Sequence, residues 1–122
     1  MKKRLTESIG ELMKLYFYIL ERPFMREPFI RFEECEVIEK PKTYYPVGKL
    51  PKGVYRSFIR KGEIGNFLDS NFKNVIVLDK NDSEKAMKLF EDCSKSEIER
   101  LYKSISTEKS ILKAVEDYRK NG

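Results

Sequence analysis

Apolar residues between positions 5 and 21 recur at helical spacings, and this pattern constrains the fold more than any other feature of the sequence. Two adjacent stripes have spacings of three or four residues: Leu5, Ile9, Leu12, Tyr16 and Ile19, then Met13, Phe17 and Leu20. Such spacing predicts an α-helix over residues 5–21 that ends at Pro23, because proline lacks the backbone N–H that a helix interior needs. An apolar face this wide must be covered, either by another part of the chain or by a partner.

Two ways of covering that face remain open. The helix can pack on a sheet of its own chain, or it can form a seam with a second copy, since spacings of four and three also suit a pair of helices. If the face is exposed in the monomer, we expect Tyr16, Phe17 and Leu20 to bind a protein partner.

The middle third of the chain reads as a hairpin over residues 29–61 with a proline-rich arm. Residues 29–39 alternate between apolar and polar, with a change of phase near Glu33 that predicts a β-bulge or a break. Three prolines then interrupt the chain, and residues 53–60 are rich in β-formers that favour a returning strand. If the two segments pair, acidic residues of the first face basic residues of the second.

The remainder of the chain predicts one strand followed by helices. A compact apolar run predicts a buried strand over residues 74–79, preceded by a short helix near 63–70. Residues 83–120 predict a cap of three short helices, with start signals at Asp82 or Ser83, at Ser94 and near residue 107. We therefore expect a single small α+β domain over residues 1–122, with about three strands, an N-terminal helix and three short C-terminal helices.

The segment from Lys40 to Lys61 carries seven basic residues and no carboxylate, in a chain whose formal charge is only +5. Unbroken positive charge with interleaved aromatic rings is typical of proteins that hold a polyanion and stack on its bases. The candidate nucleic-acid-binding residues are Lys40, Lys42, Tyr44, Tyr45, Lys49, Lys52, Arg56, Arg60 and Lys61. Phe58 lies between Arg56 and Arg60, so these three side chains either clamp a nucleotide or form a ring flanked by extended basic side chains.

A competing interpretation neutralises this basic segment inside the fold. Glu33, Glu34, Glu36 and Glu39 directly precede it, and a hairpin would place them opposite its cations. The position of Arg56 relative to these glutamates separates the two interpretations.

Composition argues against several other classes of protein. The chain has no histidine, the commonest general base near neutral pH and the commonest transition-metal ligand, and its two cysteines lie 58 residues apart. It has no nucleophile elbow and no phosphate-binding glycine loop. We therefore predict no catalytic residues, no cofactor and no metal. The sequence also lacks the ~20 consecutive apolar residues of a membrane span, so we expect a cytoplasmic protein without a membrane partner.

These observations predict a small non-catalytic nucleic-acid-binding protein or accessory subunit that uses its basic, tyrosine-bearing arm. The alternative is a protein-interaction module, such as an adaptor or a viral inhibitory factor, that binds through the apolar N-terminal helix or the basic arm. The abundance of lysine and isoleucine is typical of small archaeal or viral proteins from AT-rich genomes.

Overall fold

The computed structural model describes residues 10–69 and 71–121. In chain order its elements are β1 (Glu11–Glu21), β2 (Phe29–Glu39), β3 (Thr43–Pro46), β4 (Ile59–Arg60), a 3-10 turn (Lys61–Glu63), β5 (Val75–Leu78) and one helix, α1 (Ser83–Asn121). The chain divides into two compact units, one that holds the sheet and ends at Ala86 and one that begins at Met87.

The five strands form one antiparallel sheet in the order β4-β3-β2-β1-β5. β1 and β2 form a long hairpin whose register continues without interruption from Glu11 opposite Glu39 to Glu21 opposite Phe29. The bulge predicted near Glu33 is therefore wrong. The apolar residues change phase because Phe32 lies on one face of the sheet and Cys35 on the other, where it is buried.

The predicted N-terminal helix is wrong from residue 11 onward, because residues 11–21 form the strand β1 between β2 and β5. Residues 5–9 of the prediction lie outside the described part of the chain. Leu15, Phe17 and Ile19 alternate onto the core face, and all three are buried. The opposite face of β1 also carries apolar residues, including the buried Tyr18. Apolar residues on both faces of a strand produced the spacings of three and four that suggest a helix.

The main core lies on one face of this sheet. Every strand contributes to it, and residues of two loop segments, among them Val54 and Leu68, complete it. The sheet residues of this cluster are Leu15, Phe17, Ile19, Cys35, Val37, Tyr44, Ile59, Val75 and Val77. The run Val75–Leu78 forms β5, and all four of its residues are buried.

The pairing predicted for the middle hairpin is also corrected. β2 pairs with β1 and β3, not with residues 53–60, and only Ile59 and Arg60 of that segment form a strand. The short helix predicted near 63–70 is replaced by the 3-10 turn and by an extended stretch, in which the Leu68 N–H donates to the Val75 carbonyl (2.9 Å). The sheet therefore has five strands instead of about three.

The three predicted C-terminal helices are one helix of 39 residues. Asp82 caps its start, since the Lys85 N–H donates to Asp82 Oδ1 (3.1 Å). No glycine or proline occurs between residues 83 and 121 to end the helix. Near the predicted third start, Thr107 Oγ1 donates to the Lys103 carbonyl (3.0 Å) and Ser110 Oγ to the Ser106 carbonyl (3.1 Å). These hydroxyls bond backward within the helix, so they do not cap a new one.

Candidate nucleic-acid interface

Adjacent tyrosines of β3 point to opposite faces of the sheet, because side chains alternate along a strand. Tyr44 faces the core and is 6% exposed, which leaves its ring no free face for stacking on a base. Tyr45 lies on the other face and is 40% exposed. The alternation therefore separates two residues that the sequence groups together.

Tyr45 forms an aromatic pair with Phe58, which precedes β4. Their ring centroids are 5.5 Å apart and the rings are tilted by 39°. A cation lies over each ring: Lys40 Nζ is 5.7 Å from the Tyr45 centroid and Arg60 Cζ is 5.6 Å from the Phe58 centroid. We call these residues, with the exposed Lys42 between β2 and β3, the edge platform: Lys40, Lys42, Tyr45, Phe58 and Arg60.

Two strand connections hold the edge platform together. The Lys40 N–H donates to the Thr43 carbonyl (2.8 Å), which closes the turn between β2 and β3. Arg60 lies opposite Thr43 in the pairing of β3 with β4, and Arg60 therefore shares a face with Tyr45. The cations at the ends of the aromatic pair are thus fixed by the register of the last two strands.

Arg56 and Lys61 do not extend this surface, because each forms an ion pair with a carboxylate. The Arg56 guanidinium binds Glu63 and also donates to the Leu68 carbonyl. Lys61 Nζ lies 2.6 Å from Glu39 Oε2, and this hydrogen bond raises the pKa of Lys61 above its ordinary value. Arg56 is therefore neutralised, although by Glu63 and not by the glutamates of β2.

The same ion pairs also remove two negative charges from the neighbourhood of the edge platform. Glu39 ends β2 and Glu63 follows β4, and both carboxylates are engaged. Among the described residues, the side chains of Lys40, Lys42 and Arg60 form no ion pair with a carboxylate, although the Arg60 backbone N–H donates to Glu63 Oε1 (2.9 Å). The edge platform therefore carries three cations without an ion pair, and the two carboxylates that adjoin it, those of Glu39 and Glu63, are paired.

Lys49 and Lys52 belong to a different part of the surface. Their side chains are exposed, but their backbone lies against β2: the Lys49 carbonyl is 3.8 Å from Cys35 Sγ, and the Lys52 carbonyl accepts a bond from Arg31. An open cavity of about 450 Å³ beside Lys49 is lined by three glutamates of β2, Glu33, Glu34 and Glu36. This region therefore combines the positive charge of Lys49 with carboxylates that repel phosphate.

Two of those glutamates have partners within the sheet. Glu34 lies 3.3 Å from Lys14 Nζ, and the hydrogen bond between them raises the pKa of Lys14. Glu33 lies 2.8 Å from an Arg31 nitrogen. Glu34 therefore pairs with β1 and Glu33 pairs along β2. Only Glu39 binds a cation of the basic segment, Lys61, so the predicted ladder between acidic and basic strands does not form.

The three predicted partner-binding residues are divided between the faces of β1. Phe17 is fully buried in the core. Tyr16 is half-buried and stacks on Phe32 with a centroid distance of 6.2 Å. Leu20 is half-buried on the same face as Tyr16. They do not form the continuous apolar stripe on which the prediction of a partner rested.

The sequence suggested Phe58 as the middle of a clamp between Arg56 and Arg60, but Phe58 was not among the nine candidate nucleic-acid-binding residues. Phe58 lies two residues before Arg60, and residues i and i+2 of a strand lie on the same face, so the spacing predicts that these two side chains are neighbours. Phe58 does contact Arg60, whereas Arg56 turns away to Glu63.

Comparison of the chain with protein-family models, with curated proteins and with solved structures finds no match. Within residues 10–69 and 71–121, no helix is long and apolar enough to cross a membrane. The same residues contain no group of three or more side chains able to hold a metal ion.

Proposed function

We propose that this protein binds single-stranded nucleic acid through the edge platform. The observation that supports the proposal is the pairing of the exposed Tyr45 with the half-buried Phe58, with a cation that has no ion pair over each ring. Aromatic rings accept bases by stacking, and the flanking cations attract the phosphates that connect those bases.

The aromatic pair favours a single strand over a duplex. Bases of a duplex are already stacked on one another, so a ring on a sheet surface can stack only on bases that are unpaired. The edge platform offers one ring pair and three cations, which suits a contact of a few nucleotides and weak sequence preference. Nothing in this geometry requires catalysis.

The first test is the affinity of the full chain for a fluorescently labelled single-stranded oligonucleotide, measured by anisotropy across a series of salt concentrations. We expect Y45A to weaken binding about tenfold, because stacking on one ring contributes about 1–3 kcal/mol per base. We expect K40Q to reduce the salt dependence by about 0.7 in the slope of log K against log salt, as one phosphate contact to a single strand is lost.

Matched controls keep this test specific. Y55A removes a tyrosine that is more exposed than Tyr45 and lies outside the edge platform, and K80Q removes an exposed lysine beyond β5. Both variants should bind like the unaltered protein. Equal losses in Y45A and Y55A, or binding that does not depend on salt, would contradict the proposal. Parallel titrations with DNA, RNA and a duplex identify the preferred polymer.

A further inference from the structure

The helix α1 carries an exposed apolar stripe along its second half. Every residue from Ser94 to Asn121 is exposed. From Ile98 to Val115, core-type positions alternate three and four residues apart, as in a coiled coil, and only one of them is charged. They are Ile98, Leu101, Ile105, Glu108, Leu112 and Val115.

We infer that α1 pairs with α1 of a second copy of this chain as an antiparallel two-helix coiled coil. The register that overlaps the most apolar positions places Ile98 opposite Val115 of the second copy and Leu101 opposite Leu112. Four of the five apolar positions of the stripe then face an apolar residue, the fifth, Ile105, lies opposite Glu108 of the second copy, and Ser94 lies opposite Arg119 at either end.

Charge complementarity selects the antiparallel direction. In this register Lys95 flanks the seam opposite Glu116 of the second copy, and by symmetry this attractive pair forms twice. A parallel pair forms no such contact. It places Glu108 against Glu108 and Arg119 against Arg119 at seam positions, where like charges repel.

The apolar area is sufficient for a stable dimer. Besides the five apolar seam residues, which are 41–64% exposed, three neighbouring residues carry exposed apolar surface: Tyr102, Ile111 and Tyr118. Covering all eight would remove roughly 450 Å² of apolar surface per chain, at about 100 Å² for a fully exposed side chain. If about 65% of the interface is apolar, each copy buries roughly 700 Å², within the range of stable interfaces.

Direction and register can be tested by disulfide trapping in the full chain. In a C93S background, which removes the partly exposed native thiol next to position 94 in the chain, S94C and R119C are prepared as separate proteins, mixed and oxidised. The antiparallel register predicts a crosslink between one S94C chain and one R119C chain, and little crosslinking of either variant with itself. Crosslinks only within each variant would indicate a parallel pair and would overturn the inference.

Charge reversal tests the same register in solution. Sedimentation equilibrium should show a monomer–dimer equilibrium that K95E and E116K each weaken about tenfold, and that the double variant K95E/E116K restores to within about threefold. Lys95 also pairs with Glu91 on its own helix (2.7 Å), so K95E could lower the helix content. The helix content of each variant is therefore measured by circular dichroism in addition to its sedimentation. E99K, a charge reversal on the outer face of α1, is the matched control and should leave dimerisation unchanged.

Each outcome decides the inference. Dimerisation with rescue by the double variant supports it, since a loss of helix in either single variant would not be restored by the second charge change. A monomer at every concentration, or a dimer that none of these variants weakens, would overturn it.

Discussion

Two arginines of the same segment, four residues apart, differ because only the Arg56 guanidinium forms an ion pair with a described carboxylate. Arg56 joins Glu63 and the Leu68 carbonyl, and it thereby ties the loop before β4 to the segment that follows it. Arg60 lies over the Phe58 ring, and its side chain has no ion pair with a described carboxylate. The first arginine stabilises the fold, and the second remains available to a ligand.

This difference predicts a separation of stability from binding. R56M should lower the free energy of unfolding by about 1–3 kcal/mol, because it removes the ion pair with Glu63 and the hydrogen bond to the Leu68 carbonyl. Its affinity for single-stranded nucleic acid should be unchanged per folded molecule. R60M should change stability by no more than about 0.5 kcal/mol and weaken binding.

Urea denaturation and anisotropy titrations on both variants check this prediction. A loss of affinity in R56M at full folding, or a large loss of stability in R60M, would show that the roles of the two arginines are misassigned.

Among the elements, β1 begins where the backbone of Gly10 lies close to the backbone at the end of β2. Gly10 directly precedes β1 and has a φ of +96°, a conformation that disfavours residues with a Cβ. A Cβ on Gly10 would lie 2.2 Å from the Glu39 carbonyl oxygen at the end of β2. The long hairpin therefore requires glycine at this position for two independent reasons.

We expect G10A to lower the free energy of unfolding by about 1–3 kcal/mol, through backbone strain and the steric clash with Glu39. Gly48 is the matched control, because no atom lies within 4 Å of a Cβ added there and its φ is not in the left-handed region. G48A should leave stability unchanged or raise it by up to about 1 kcal/mol. Equal stabilities of G10A and G48A in urea would show that β1 does not begin as described.

At the scale of the whole molecule, the two compact units differ in what stabilises them. The sheet unit has its own core of buried side chains. In the second unit, the residues from Ser94 onward are all exposed, whereas most of the stability of helices in proteins comes from packing of an apolar face. Pairing of α1 with a second copy would supply the missing contacts.

This contrast predicts two unfolding transitions with different concentration dependence. The midpoint for α1, followed by circular dichroism at 222 nm, should rise with protein concentration because dimerisation stabilises the paired state by mass action. The midpoint for the sheet, followed by the near-ultraviolet signal of the buried Tyr18 and Tyr44, should not. Concentration-independent midpoints for both signals would indicate that α1 is stabilised within one chain.

Some elements were predictable because their signals are local. The four-residue run Val75–Leu78 is apolar throughout and forms a buried strand, and Asp82 caps the helix that follows. The basic segment from Lys40 was also evident, as was its aromatic content. The sequence did not show that residues 11–21 form a strand. A strand with apolar residues on both faces has the same apolar spacings as a helix, and only pairing partners distant in sequence distinguish the two.

The charges and rings in the middle of the chain, and the lack of glycine and proline from position 83 to 121, can be read directly from the sequence. Which of those side chains are exposed and unpaired depends on contacts between distant segments. The register of β3 and β4 buries Tyr44, exposes Tyr45 and places Arg60 near it, while contacts between separate segments neutralise Arg56 and Lys61. An ion pair depends on a distance of a few ångströms between residues, and the folded path of the chain sets that distance.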